Sequence, residues 1–168
     1  MDRDADFSAF AAARWPALVR SAVFLGCSIE EAEDLAQTTL VKCYTAWQRG
    51  EIADNRDAYV YRMLLNALRD TRRRHWWREQ PADVHPDRAV PSDTDDRVAV
   101  TDAVDRALGD LSKVNREVVV LRFYAHLTEQ QTADVLGIPT GTAKSRLSRA
   151  LAQLAANPHL ADLSEGSP

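Results

Sequence analysis

Cysteine is scarce in this chain: Cys27 and Cys43 are the two it has among 168 residues. Two are too few for a disulfide framework, and neither has the neighbours a zinc site needs, so both read as reduced, buried residues. The four histidines, at 75, 85, 126 and 159, fall at no ligand spacing, and no metal is expected. Glycine is thin too, with six residues and no phosphate-cradling loop, and no nucleophile with its base stands out. An enzyme is therefore not expected, and no catalytic residue or cofactor is implied. The longest apolar runs are about four residues, far below a membrane span. The N-terminus reads Met1-Asp2-Arg3-Asp4, acidic where a secretory leader is basic, so a cytoplasmic chain without membrane insertion is expected.

What is present suits a folded globular protein: 45% hydrophobic and 27% charged residues argue against disorder throughout. The net charge of −4 is unevenly placed. Residues 1–78 carry 12 Lys/Arg against 11 Asp/Glu, a balance of +1. Residues 79–110 carry 3 against 9, or −6, and residues 111–168 carry 6 against 5, or +1. The acidity belongs to one middle stretch, and local fields decide what the basic flanks attract.

That stretch also holds Pro81, Pro86 and Pro91, which forbid a continuous helix, and few large apolar residues. Residues 79–103 read as an acidic linker between two small helical domains, 1–78 and 104–156, with a short tail at 157–168. Upstream, Phe7, Phe10, Ala11, Leu18, Ala22 and Leu25 recur at helical spacing, and Gly26 ends that helix. Ser28 and Glu31 have the form of a capping box opening a second helix, striped by Ala32, Leu35, Ala36, Leu40, Cys43, Tyr44 and Trp47. A third runs from about Arg56 to Trp77, apolar in its first half and rich in arginine (69, 72, 73, 74) towards its end, with Arg78 just beyond. Downstream, Val104, Leu108 and Leu111 suggest a helix, and another spans about Val114 to Tyr124. Its β-branched core, Val118-Val119-Val120-Leu121, favours strand, but no partner strand exists, so the expected fold is all-α.

The most specific pattern lies at 128–154. Thr128 and Gln131 can close a capping box, Ala133 lets two helices approach, Gly137 allows a sharp turn, and Pro139 stops the first helix. On the next helix Ala143, Leu147, Ala150, Leu151 and Leu154 share one face. The opposite face presents Lys144, Ser145, Ser148 and Arg149 with Arg146 at its flank, after Thr140 and Thr142 at the start. No acidic residue occurs between Asp134 and Asp162. The pattern reads as a helix-turn-helix with a recognition helix suited to major-groove bases and phosphates, in preference to an ordinary helical hairpin with a solvated basic face.

Leu111–Tyr124 followed by Leu127–Leu154 resembles the promoter-recognition domain of bacterial extracytoplasmic-function sigma factors. The segment from Ala32 to Tyr44 looks like that family's polymerase-binding helix. Ala58–Asn66 is similar to its helix for minus-ten recognition and melting. The resemblance spans about residues 5–156, and the run ending in His75-Trp76-Trp77 is similar to the SigE-like actinobacterial subgroup. It implies an RNA polymerase sigma factor with a region 2 domain, a region 4 domain and no catalysis of its own. Glu33, Asp34, Gln37 and Thr38 would dock on the clamp helices of the polymerase largest subunit, where residues alone suggest only a solvated face. Tyr59, Tyr61, Arg62, Asn66, Arg69 and Arg73 would capture minus-ten bases, although both tyrosines are equally suited to the core. Thr140, Thr142, Lys144, Ser145, Arg146, Ser148 and Arg149 would meet the minus-thirty-five element. Trp76 and Trp77 either stack on DNA or cover the end of the small domain, and packing is the slightly favoured reading. The linker either threads the polymerase channel or is a solubilising tether. Further expected partners are the polymerase flap, promoter DNA and an anti-sigma factor. The sequence departs from the family at Thr132 and Ala143, usually larger aliphatics, at Leu111-Ser112-Lys113, which lacks a frequent proline pair, and at Thr38-Thr39, usually an acidic-apolar pair.

Two other readings share some features. A LuxR-type response regulator needs a strand-and-helix receiver upstream, and residues 1–78 show no such alternation. A sigma-like decoy would bind polymerase or an anti-sigma factor without promoter function, which run-off transcription distinguishes.

Overall fold

The computed structural model describes residues 2–52, 54–78 and 95–165. All their regular elements are helical. The N-terminal unit comprises α1 (Arg3–Phe24), α2 (Ile29–Gln48) and α3 (Arg56–Trp77). Gly26 follows α1 with φ 107°, a conformation open to glycine, and turns the chain into the next cap. The Ser28 side chain accepts from the Glu31 N–H while Glu31 accepts from the Ser28 N–H, so the capping box is complete. Leu18, Ala22, Leu35, Ala36, Val60, Leu64 and Leu65 fill the space between the three helices. Burial pushes the Cys43 thiol up to about 12, so it stays protonated in that core. At one end Phe7 stacks edge-on to Tyr44 and Trp47 at 5.1 and 5.4 Å, and the Arg56 guanidinium lies 4.2 Å over the Trp47 ring.

The C-terminal unit holds α4 (Asp95–Gly109), α5 (Lys113–Val119), α6 (Glu129–Leu136), α7 (Thr140–Ala155) and α8 (Pro158–Glu165). Residues 79–94 of the expected linker lie outside the described residues. Its last part is helix, however, because α4 starts at Asp95 rather than near Val104. No proline follows Pro91 in this stretch, so nothing in the sequence breaks a helix there. The tail is structured too. The Asn157 side chain accepts from the His159 N–H at 2.9 Å, Pro158 supplies the first helical φ, and α8 folds back on α4. The Val114–Tyr124 helix is interrupted, since α5 passes into a π-helical turn, Val120–Tyr124, whose Val120 carbonyl accepts from Ala125 at 3.0 Å.

Sequence periodicity gave no hint that the two units pack together. Phe24 of α1 and Tyr124 of the π turn stand 4.3 Å apart between ring centroids, and α3 lies against α6. The buried core runs on from Leu64 and Leu65 into Leu108, Val120 and Leu121.

Candidate polymerase and nucleic-acid interfaces

The capping box sets the start of α2, and Ala32, Leu35, Ala36, Thr39, Cys43, Ala46 and Trp47 turn inward. Glu33, Asp34, Gln37 and Thr38 consequently share the exposed side. Val41 stands among them with 63% of its surface exposed, an apolar residue in a polar field. Sequence reading missed it, although Val41 lies four residues beyond Gln37 and off the buried stripe.

On α3 the spacing 62, 66, 69, 73 places Arg62, Asn66, Arg69 and Arg73 along one side. Arg62 Nη2 donates to the Asp134 carbonyl at 3.3 Å, and Arg69 Nη2 lies 3.4 Å from Glu117 Oε2. Arg73 pairs with Asp70 one turn back. Asn66 is exposed. Tyr59 is half-buried, and burial raises its phenol pKa, with Cys43 adding to the effect. Tyr61 is 2% exposed and belongs to the core, so of its two readings the structure has the packing one. The opposite holds for Trp76 and Trp77. The favoured reading had them covering the end of the domain, but they are 80% and 77% exposed. They project from the last turn of a helix that also carries Arg73, Arg74 and His75 outward.

In the helix-turn-helix, the Thr128–Gln131 capping box is complete and Gly137 ends α6 in the left-handed region at φ 65°. Pro139 then leads into α7, and Ala133 and Ala143 are buried where the helices approach. Thr132 is fully buried, and its hydroxyl has no hydrogen-bond partner among the described residues. Lys144, Ser145, Ser148 and Arg149 are exposed, while Thr140, Thr142 and Arg146 are half-buried. Two hydroxyls are already engaged: Thr140 donates to Gln130 Oε1 at 2.9 Å and Ser145 to the Gly141 carbonyl at 2.9 Å. Lys144, Arg146 and Arg149 make no ion pair among the described residues. Leu151, expected on the inner face, is 41% exposed. With Val104, Leu108, Val119, Phe123 and Leu160 it lines an apolar groove of about 260 Å³.

Among the described residues no His/Cys/Asp/Glu group is arranged to hold a metal, and no helix is long and apolar enough to cross a membrane. Comparison with known proteins agrees with the two-part geometry. The family described as Sigma-70 region 2 matches residues 10–78, and Sigma-70, region 4 matches residues 101–154. The RNA polymerase sigma-E factor of Streptomyces avermitilis is 39% identical over 161 residues, covering 89% of this chain and 83% of the relative. The ECF RNA polymerase sigma factor SigL of Mycobacterium tuberculosis is 31% identical over 148 residues, covering 82% and 80%. Among solved structures, the sigma factor RpoE of Bartonella quintana, in complex with the anti-sigma factor NepR, aligns with TM-score 0.69 and 29% identity. That alignment covers 89% of this chain and 94% of the other. CnrH in complex with the cytosolic domain of CnrY aligns with TM-score 0.65 and 25% identity, covering 96% and 89%. Two ordered regions, relatives matched over most of their length and a shared fold lead to one assignment: the chain belongs to the extracytoplasmic-function sigma factors, the RNA polymerase subunits that direct transcription initiation.

Proposed function

We propose that this sigma factor divides promoter recognition between α3 and α7. The observation that carries this reading is the outward row Lys144, Ser145, Ser148 and Arg149, exposed and free of acidic neighbours on a helix set by Gly137 and Pro139. That row, with Thr140, Thr142 and Arg146, enters the major groove of the minus-thirty-five element, where hydroxyl and basic groups meet bases and phosphates. Arg62, Asn66, Arg69 and Arg73 follow the backbone of the minus-ten element, and Tyr59 flanks its unstacked bases. Tyr61 supports α3 from the core. The exposed Trp76 and Trp77 extend this surface as stacking platforms beside Arg73 and Arg74.

The exposed side of α2, with Glu33, Asp34, Gln37, Thr38 and Val41, docks on the clamp helices of the polymerase largest subunit. The groove walled by Phe123 and Leu151 receives an apolar segment of the flap. The acidic segment after Arg78 tethers the domains and occupies a basic channel of the polymerase. The protein works in the cytoplasm and leaves catalysis to the polymerase. An anti-sigma factor is a further partner, as the similar sigma factor RpoE was solved in complex with the anti-sigma factor NepR. Run-off transcription with purified core polymerase tests the whole reading, because a decoy would bind core without giving a transcript.

A further inference from the structure

Once α7 ends at Ala155, the chain turns back within two residues, and Asn157 makes the turn. Its side chain is buried and engaged at both ends. Oδ1 accepts from the His159 N–H at 2.9 Å, and Nδ2 donates to Asp110 Oδ2 at 3.0 Å. The first bond caps α8, and the second fastens that cap to the residue just past α4. His159 Nε2 comes within 3.8 Å of the same carboxylate oxygen. An isolated helix of eight residues is marginal in water, so α8 depends on what it packs against. It lies against α4 and α7, and Leu160 joins Phe123 and Leu151 in lining the apolar groove.

With α8 in place the groove is still open, since Phe123 and Leu151 keep 49% and 41% of their surface exposed. At about 260 Å³ it is smaller than the ~300–1,000 Å³ of small-molecule sites, and its lining is almost wholly apolar. It suits the apolar side chains of a protein segment instead. On α7, helical spacing puts Leu154 on the far side from Lys144, Ser145, Ser148 and Arg149, with Leu151 between the two faces. The groove therefore stays accessible while that row is engaged with DNA. Its occupant is a partner within the promoter complex, and the polymerase flap is the one assigned above.

We propose that α8 is a wall of the flap-binding groove, with Leu160 as a contact residue for the flap's apolar segment and Asn157 as the residue that positions it. The inference rests on the reading of this groove as the flap site. Leu160 adds contact area to the walls supplied by α4, by α5 with its π turn, and by α7. Asn157 acts only through α8, because its bond to Asp110 fixes where Leu160 stands. A wall held in place before the partner arrives leaves less ordering to be done on binding.

Affinity of the whole chain for core polymerase, measured with wild-type core and with core lacking the flap's apolar segment, tests the wall. Leu160→Asp should weaken binding to wild-type core about fivefold, whereas Leu160→Met should keep it within about twofold. Asn157→Ala should weaken it about two- to threefold, and it keeps the test sound if Leu160→Asp fails to fold by circular dichroism. None of these changes should alter binding to the flap-deleted core. Phe123→Asp, on a different wall, tests the groove itself. If it weakens binding and the Leu160 and Asn157 variants do not, α8 is passive and the proposal is overturned while the groove keeps its role. If all of them leave affinity unchanged, the flap assignment falls and the wall falls with it. Tighter binding by Leu160→Asp would make α8 a lid, and equal losses on both cores would place its contact away from the flap; either result overturns the proposal.

Discussion

The Thr140 hydroxyl donates to the Gln130 side-chain oxygen at 2.9 Å, which ties the first turn of α7 to the helix before it. The Gln130 amide in turn donates to Asp134 Oδ1 at 2.9 Å, so a short polar chain holds the outer edge of the helix-turn-helix. Beneath it the packing is less well satisfied, because Thr132 buries a hydroxyl with no partner there.

Thr132→Val should therefore stabilise the C-terminal domain, by about 1 kcal/mol, since a methyl group replaces an unsatisfied donor in the same space. Denaturant unfolding of the variant checks this. A loss of stability would mean that the hydroxyl is engaged after all.

Lys144→Ala and Arg149→Ala remove exposed cations from α7 without touching its buried face. In holoenzyme each should weaken promoter binding and flatten its salt dependence by ~0.9 in log–log slope for each phosphate no longer neutralised. Unchanged slopes in both would remove these residues from the interface.

Val41→Asp places a charge at the centre of the exposed α2 face. Affinity for core polymerase should fall about tenfold or more, as for a residue central to an interface, while folding stability stays within about 0.5 kcal/mol. Equal core affinity in variant and wild type would put the clamp-docking surface elsewhere.

Trp76 and Trp77 are exposed enough to report on DNA without unfolding. Fork-junction DNA added to holoenzyme should quench their fluorescence, and Trp76→Ala with Trp77→Ala should slow open-complex formation while barely changing thermal stability. Emission indifferent to DNA would return the pair to a passive role.

Features that depend on neighbours in sequence were legible from it. Ser28 with Glu31 and Thr128 with Gln131 are local pairings, and Gly137 meets a local need for positive φ. The exposed rows of α2 and α7 followed from helical spacing alone. Tyr61, Trp76 and Trp77 were harder, because an aromatic side chain suits a core and a nucleic-acid surface equally. The π turn at Val120 was hidden inside an apolar run whose period fits helix and strand alike. α8 left a signal in Asn157-Pro158 that its short length obscured. The Arg69–Glu117 pair spans 48 residues, and no local pattern could have announced it. Nor could spacing distinguish domains that lie apart from domains that share a core.

Promoter affinity with and without polymerase bears most directly on the account. Alone, the chain should hold a promoter duplex no better than unrelated DNA, near ~10⁻⁴ to 10⁻⁶ M. Bound to core enzyme, it should select that promoter strongly, because the enzyme fixes the spacing of two feeble DNA-binding surfaces. Tight, selective binding by the polypeptide alone, or no association with core at all, would contradict it.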